Sequence, residues 1–259
     1  MKKKSKTILG LMIITVLLSS CSLNKVFYSS KKVDKLDKVA IITTVIEFAP
    51  ATGGIYSGMM NDKISSVSEE LNILLKDYAT FYRDSLGIFL SKNFNCEVLY
   101  GKSLQSNPGF EKLKTEFNFP NALATDKEIF PFMFLSSGDI IPFKSFEAFL
   151  RLKPDTSLLK NEKRTIQELC KVLDVNYIAV SYTAIVAVSG SALMRGTLSM
   201  VTCIRVFDKD GDYIVWGNKY AQGRAISAGK IEKYPAFMDI FFKITKPMVS
   251  EILKKYSLN

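Results

Sequence analysis

The chain has 259 residues, of which 47% are hydrophobic and 12% aromatic, so it has enough apolar material for a sizeable core and is not disordered overall. Its formal net charge is +10, and it contains no histidine. The missing histidine excludes Ser-His-Asp and Cys-His catalysis, histidine general bases and most catalytic zinc sites. No basic stripe or recognisable nucleic-acid module accompanies the positive charge. We therefore predict a protein that is not an enzyme, needs no cofactor or metal and binds no nucleic acid.

The N-terminal segment has the pattern of a secretory signal. Four lysines and no acidic residue accompany an apolar run from Ile8 to Leu18, which is shorter than the roughly 20 apolar residues that cross a bilayer as a helix. Leu18-Ser19-Ser20-Cys21 then resembles a bacterial lipobox, in which the chain is cleaved before the cysteine and the thiol receives a lipid. We predict a cleaved signal peptide over residues 1–20 and lipidation of Cys21. An ordinary signal peptide with an incidental cysteine is the alternative.

The predicted lipid sets the expected location. Acyl chains on Cys21 would hold the protein firmly at a membrane, because each buried CH₂ contributes about 0.8 kcal/mol. Ser22 stands where an aspartate favours retention at the inner membrane in such lipoproteins, so we expect a position at the outer membrane facing the periplasm. Loss of the four signal lysines lowers the net charge from +10 to +6. Residues 21–38 are polar and lysine-rich and are predicted to form a flexible lipidated tether.

The first part of the domain has a β-α-β pattern. "VAIITTVIEF", residues 39–48, is apolar along nearly its whole length, which is typical of a strand buried on both faces. A glycine-containing loop follows, and apolar residues then recur at helical spacing from Ser66 to about Lys92, with Phe81 predicted to widen the core-facing stripe. "CEVLY", residues 96–100, indicates a second short strand.

A phenylalanine-rich insertion is predicted at about residues 102–160. Eight of the 18 phenylalanines lie between Phe117 and Phe149, and repeated prolines interrupt the segment, so loops and short helices are expected there. These rings either pack the insertion onto the domain or form an exposed surface for a partner. The residues of the second interpretation are Phe130, Phe132, Phe134, Phe143, Phe146 and Phe149.

The C-terminal part has the pattern of a helix, an antiparallel meander and a last helix. "EKRTIQELCKVLDV" precedes the alternating strands "YIAVSYTAIVAV" and "TLSMVTCIRVFD". "DKDGD", residues 208–212, favours a tight hairpin turn with Gly211 at positive φ, and a calcium loop is the weaker alternative because Lys219 replaces the bidentate glutamate. The final helix contains Pro247, which should kink or split it. Cys96, Cys170 and Cys203 are predicted to be buried free thiols, with one disulfide as the alternative.

The order of these elements resembles a known family. The lipobox followed by "KVAIITTV", the strand "VNYIAVSYTAIVA" and the hairpin "IRVFDKDGDYIVWGNKY" are similar to the periplasmic domain of the curli-secretion channel lipoproteins and to the related N-terminal domain of the Tol-Pal propeller protein. The resemblance covers residues 39–101 and 163–256 and implies an α/β (α+β) fold, with a mixed sheet flanked by helices and an antiparallel C-terminal meander. We predict one such domain over residues 39–259. It supplies no catalytic residues, and residues 102–162 have no counterpart in it.

Three functions remain open from the sequence. The first is an envelope lipoprotein whose domain binds another protein or itself in an export or envelope-maintenance assembly. The second is a cell-wall or glycan hydrolase that uses two carboxylates among Asp139, Glu147 and Asp155. The third is a lipid or small-ligand carrier built around the phenylalanines. We favour the first, because no catalytic constellation is visible and the lipobox indicates an envelope location.

Overall fold

The elements of the fold follow the predicted order, with one addition near the N-terminus. The computed structural model describes residues 24–31, 33, 36–52, 68–110, 112, 156–189, 195–227 and 239–256. Its elements in chain order are β1 (Lys25–Tyr28), β2 (Lys38–Thr52), α1 (Ser68–Phe94), β3 (Glu97–Leu99), α2 (Gly101–Gln105), α3 (Thr156–Leu173), β4 (Tyr177–Ser189), β5 (Arg195–Asp208), β6 (Tyr213–Ser227) and α4 (Asp239–Leu253), with a 3₁₀ turn at Lys254–Tyr256. Within these ranges, no helix combines the length and apolarity needed to cross a bilayer.

The strands form one mixed sheet in the order β1-β6-β5-β4-β2-β3. β2 is parallel to both β3 and β4, whereas β4, β5, β6 and β1 pair antiparallel in turn. The α/β class with a mixed sheet and an antiparallel C-terminal meander is therefore confirmed. The β-α-β unit of β2, α1 and β3 is also as predicted, because parallel neighbours need a crossover connection.

Helices cover the two faces of the sheet, as the apolar run in β2 indicated. Val39 and Ile41 pack on one face with residues of α1 and α4, and we call this the α1 face. Ala40 and Ile42 pack on the opposite face with residues of α2 and α3, the α3 face. All four side chains have 0% exposure. A strand that alternates between two covered faces has no position for a solvated side chain, which explains the continuous hydrophobicity.

The packing of α4 against β6 depends on one glycine. Gly217 lies opposite Ile252, and a Cβ built at Gly217 would approach Ile252 Cγ2 to 2.3 Å. Ile252 is fully buried, and its carbonyl accepts a hydrogen bond of 3.0 Å from the Tyr28 hydroxyl of β1. α4 is one helix with Pro247 inside it, so of the predicted kink or split the split does not occur. Pro247 is exposed, and its ring therefore does not disturb the packing against the sheet.

The predicted tether is not a free spacer along its whole length. Lys25–Tyr28 forms the edge strand β1, paired antiparallel with β6, and Leu36 is 2% exposed in the core. Val26 and Tyr28 pack on the α1 face, and Phe27 packs on the α3 face. The side chains of residues 26–28 therefore lie alternately on the two faces of the sheet. Their packing offsets the conformational entropy that is lost when this lysine-rich segment becomes ordered.

The remaining predictions for this part of the chain have mixed outcomes. Cys96, Cys170 and Cys203 are buried free thiols, as expected, and burial raises the pKa of Cys170 to about 12. α3 begins at Thr156, inside the predicted insertion, whereas residues 113–155 lie outside the described residues. The cleaved signal at residues 1–20 and the extent of a single domain over 39–259 stay predictions.

Candidate interaction surfaces

The site residues predicted from the sequence lie outside the described ranges. This applies to the lipidation site Cys21 and to the carboxylates Asp139, Glu147 and Asp155 of the hydrolase alternative. It applies equally to the predicted partner surface of Phe130, Phe132, Phe134, Phe143, Phe146 and Phe149. These assignments stay predictions, and the described residues form three surfaces of their own.

The first such surface is the edge of β2. β3 pairs with β2 only at Lys38, Val39 and Ala40, whereas β4 follows the other side of β2 as far as Thr52. In the part of the chain that the structure describes, no strand pairs with Ile41–Thr52 on the β3 side. An edge of this kind presents a row of backbone N–H and C=O groups that can bind a further strand.

Two features limit the length of this open edge. The register between β2 and β4 shifts between Ile41 and Thr43 and again between Ala49 and Thr52. Pro50 falls in the second irregularity and has no N–H to donate. Proline and bulges are devices by which edge strands restrict pairing. The regular stretch that a partner strand can use is therefore residues 43–49.

A second open edge lies on the opposite side of the sheet. β1 pairs with β6 only from Val215 to Asn218, and the Asn24 side chain then accepts a hydrogen bond of 2.8 Å from the Tyr220 N–H. Among the described strands, none pairs with the rest of β6 on that side. Both open edges belong to the same half of the sheet, because Thr52 pairs with Val188 and Ser227 pairs with Arg195. We call this half, with the ends of β2, β4 and β6, the far end of the sheet.

The third surface is an exposed apolar ridge on α1. Phe81 and Ile88 are 44% and 48% exposed and lie seven residues apart, so they share one side of the helix. The prediction that Phe81 widens the core stripe is wrong, although Tyr82, Leu86 and Leu90 are buried as expected. The sheet and α4 cover Tyr82 and Leu90 and leave Phe81 partly exposed at the margin of the apolar stripe.

Two grooves lie on either side of this ridge. One runs between α1 and α4, encloses about 410 Å³ and is lined by Phe81, Ile88, Thr245, Lys246 and Val249 among others. The other runs between α1, β3 and α2 and encloses about 770 Å³, with Arg83, Lys92 and Lys102 contributing positive charge. In that groove Arg83 contacts Asp84 at 3.0 Å and packs against Gly101, where φ is +51° and a Cβ would approach the guanidinium to 3.0 Å.

The turn at Asp208–Asp212 has a structural role, because its carboxylates bind groups from other parts of the chain. Asp208 accepts backbone hydrogen bonds from Asp210 and Asp212, at 3.0 and 2.9 Å, and Gly211 has a φ of +78°. The predicted tight turn is thus confirmed. Lys31 binds Asp208 and Asp210, and this contact raises the pKa of Lys31 and lowers that of Asp210. Lys163 of α3 binds Asp212 at 2.7 Å. The turn therefore connects the β5–β6 hairpin with α3 and with the segment that follows β1.

A buried arginine lies on the α3 face of β5. Arg205 is 1% exposed, and its guanidinium carbon lies 4.1 Å from the centre of the Trp216 ring. It donates hydrogen bonds to the Gly217 carbonyl at 2.7 Å and to Asn218 Oδ1 at 2.8 Å. Burial lowers the pKa of Arg205 to about 10, so the side chain remains charged near neutral pH. The only signal that the sequence offered for this site was the alternation in β5, which places Arg205 on the same face as Val201 and Cys203.

The described residues therefore define a mixed α/β sheet with two open strand edges, and no group of three or more Cys, Asp or Glu residues within them is placed to hold a metal ion. No family model matches the chain, and no curated protein matches it. Solved structures that are similar to it include the PelC dodecamer from Paraburkholderia phytofirmans, at 7% identity and a TM-score of 0.32, and a single-substitution PelC dodecamer from the same organism, at 8% identity and a TM-score of 0.30. Each likeness covers 90% of this chain and 99% of the PelC chain. At these TM-scores the likeness carries no argument about function or assembly.

Proposed function

We propose that the chain is an envelope lipoprotein, anchored by lipid on Cys21, whose α/β domain is non-catalytic and binds further copies of itself. The assembly would serve export or envelope maintenance, at the outer membrane and facing the periplasm. We also propose the relationship to the curli-secretion channel lipoproteins and the Tol-Pal propeller domain, on the sequence motifs that carry the resemblance.

The open edge of β2 is the observation that carries the self-association. Residues 43–49 have a regular register with β4 on one side and no described strand on the other. A partner strand would satisfy the backbone groups of this edge with main-chain hydrogen bonds and needs no particular side-chain sequence. A second copy is a partner of suitable chemistry because its own sheet also ends in an open edge.

The two open edges are different strands, and this difference determines the kind of contact. The edge of β2 is available on one side of the sheet and the edge of β6 on the other. Pairing β2 of one copy with β6 of the next is a heterologous contact, which repeats from copy to copy and closes into a ring when the rotation allows. The partly exposed ridge of Phe81 and Ile88 lies on α1, outside this contact.

The lipid and the assembly are tested separately on the full-length protein. Mass spectrometry of the mature N-terminal peptide should detect diacylglyceryl-cysteine at Cys21, and incorporation of an alkyne-palmitate should be lost in Cys21→Ser. The native complex, solubilised in mild detergent, should have the mass of an oligomer by size-exclusion chromatography with light scattering. An unmodified Cys21 contradicts the anchor, and a monomer across the accessible concentration range contradicts the self-association.

A further inference from the structure

Two glycine contacts fix the geometry of the groove of about 770 Å³ between α1, β3 and α2, which we call the basic groove. The Tyr100 ring packs against Gly87 of α1, where an added Cβ would approach the ring to 2.6 Å. The Arg83 guanidinium packs against Gly101. The chain that leaves β3 therefore runs back along α1, from Gly87 towards Arg83.

This direction places two exposed lysines at opposite ends of the basic groove. Lys102 directly follows Gly101 and so lies at the Arg83 end. Lys92 comes nine positions after Arg83 on α1, which corresponds to about 14 Å along the helix axis. Both lysines are exposed, and neither forms an ion pair within the described part of the chain.

The positive charge of the basic groove belongs to these two lysines. Three cations and one carboxylate line the groove, which leaves a net charge of +2: Arg83, Lys92, Lys102 and Asp84. The Nε and Nη2 atoms of Arg83 both contact Asp84 Oδ1 at 3.0 Å, so these two side chains offset each other. One positive charge therefore remains at each end of the groove.

The wall between the two lysines is largely apolar. Ile88 precedes Lys92 by one helical turn and is 48% exposed, and Val98 and Tyr100 line the groove beside it. The volume falls within the range of about 300–1,000 Å³ that is usual for small-molecule sites, which are mostly apolar with a few polar groups. A ligand that matches this wall has an apolar body with an acidic group at either end.

We propose that the basic groove binds an elongated organic dianion, whose two acidic groups pair with Lys92 and Lys102 and whose apolar or aromatic body lies against Ile88 and Tyr100. A ligand with a single acidic group would leave one of the lysines without a counterion. The site uses no backbone group of the β2 edge and needs no lipid on Cys21. It is therefore independent of the proposed self-association and anchor.

Calorimetric titration of the full-length protein in a non-ionic detergent tests the site. The probes are biphenyl-4,4′-dicarboxylate and biphenyl-4-carboxylate, which share one body and differ by one acidic group. At low ionic strength, where ion pairs are least screened, the diacid should bind about fivefold more tightly than the monoacid, the factor that one exposed ion pair can contribute. Titration of each probe into detergent alone provides the blank.

Substitutions at exposed positions assign the binding to the groove. Lys92→Gln and Lys102→Gln should each reduce the preference for the diacid to the statistical advantage of a symmetrical ligand. Lys209→Gln is the matched control, because it removes the same charge from the exposed turn and should leave the preference unchanged. Ile88→Ser should weaken the binding of both acids alike, since it touches only their common body.

Thermal unfolding of the four variants should match that of the unsubstituted protein, because all four side chains are exposed. Three results would each overturn the inference. They are the absence of saturable diacid binding, equal affinity of the unsubstituted protein for the two acids, and a loss of preference in Lys209→Gln as large as that in the groove variants.

Discussion

Single side chains at the turn of Asp208–Asp212 connect segments that are far apart in the sequence. The turn itself was predictable, because an aspartate followed by a glycine at positive φ is a local pattern. Its partners were not, since Lys31 is 177 residues from Asp208 and Lys163 is 49 residues from Asp212. Many exposed carboxylates could pair with a lysine on a polar segment, and only the folded structure determines which of them it contacts.

The two aspartates of this turn should differ in their contribution to stability. Asp208 is 5% exposed and accepts two backbone N–H groups, so Asp208→Ala should lower the free energy of unfolding by about 1–3 kcal/mol. Asp210→Ala is the matched control: its carboxylate is exposed, and its ion pair with Lys31 should contribute at most about 1 kcal/mol. Urea denaturation of the purified variants measures both values. Equal losses would show that the turn depends on the ion pairs and not on the backbone hydrogen bonds.

The pH dependence of this contact follows from the sign of the shift. The pKa of Asp210 is lowered in the folded state by its hydrogen bond to Lys31. The contact therefore contributes stability above the unfolded-state pKa of the aspartate and loses it as the pH falls through the lowered folded-state value. The pKa of Lys31 is raised, so its contribution is present below the unfolded-state pKa of lysine and is lost only in strongly alkaline solution.

At the scale of elements, the sequence predicted the long buried segments well and the edges poorly. The apolar run of β2, the helical period of α1 and the alternation in β5 are repeated local patterns, and all three elements form as expected. β1 was missed because its four residues lie in a lysine-rich segment, and its pairing with β6 joins residues about 190 positions apart. The exposure of Phe81 was missed because helical spacing gives the width of an apolar stripe but not the area that the sheet can cover.

The contact between α4 and β6 provides a prediction about element packing. Gly217→Ala should destabilise the fold by about 1–3 kcal/mol, because the added Cβ would overlap Ile252 Cγ2 and push α4 from the sheet. Ile252→Ala removes that methyl group, so Gly217→Ala should cost less in the Ile252→Ala background. Thermal and urea unfolding of the two single variants and the double variant complete the cycle. Strictly additive losses would contradict the assigned overlap.

At the scale of the whole molecule, the strands that the structure describes leave two edges of the sheet open. The fold class followed from the order of strands and helices in the sequence. The open edges did not, because whether a strand has a neighbour depends on the length of that neighbour: β3 has three residues and β2 has 15. Nothing in the sequence of β2 indicates that its neighbour β3 ends after Leu99.

Proline substitution at two adjacent residues of β2 tests the self-association most directly. Adjacent residues of a strand direct their N–H groups to opposite sides, so one of Thr44→Pro and Val45→Pro removes a bond to β4 and the other removes a donor from the open edge. Unfolding identifies the β4-side variant by a loss of stability of about 1–3 kcal/mol. Light scattering of both detergent-solubilised proteins then gives their masses. We expect the variant with near-native stability to be a monomer, and a native oligomer mass for that variant would contradict self-association through the β2 edge.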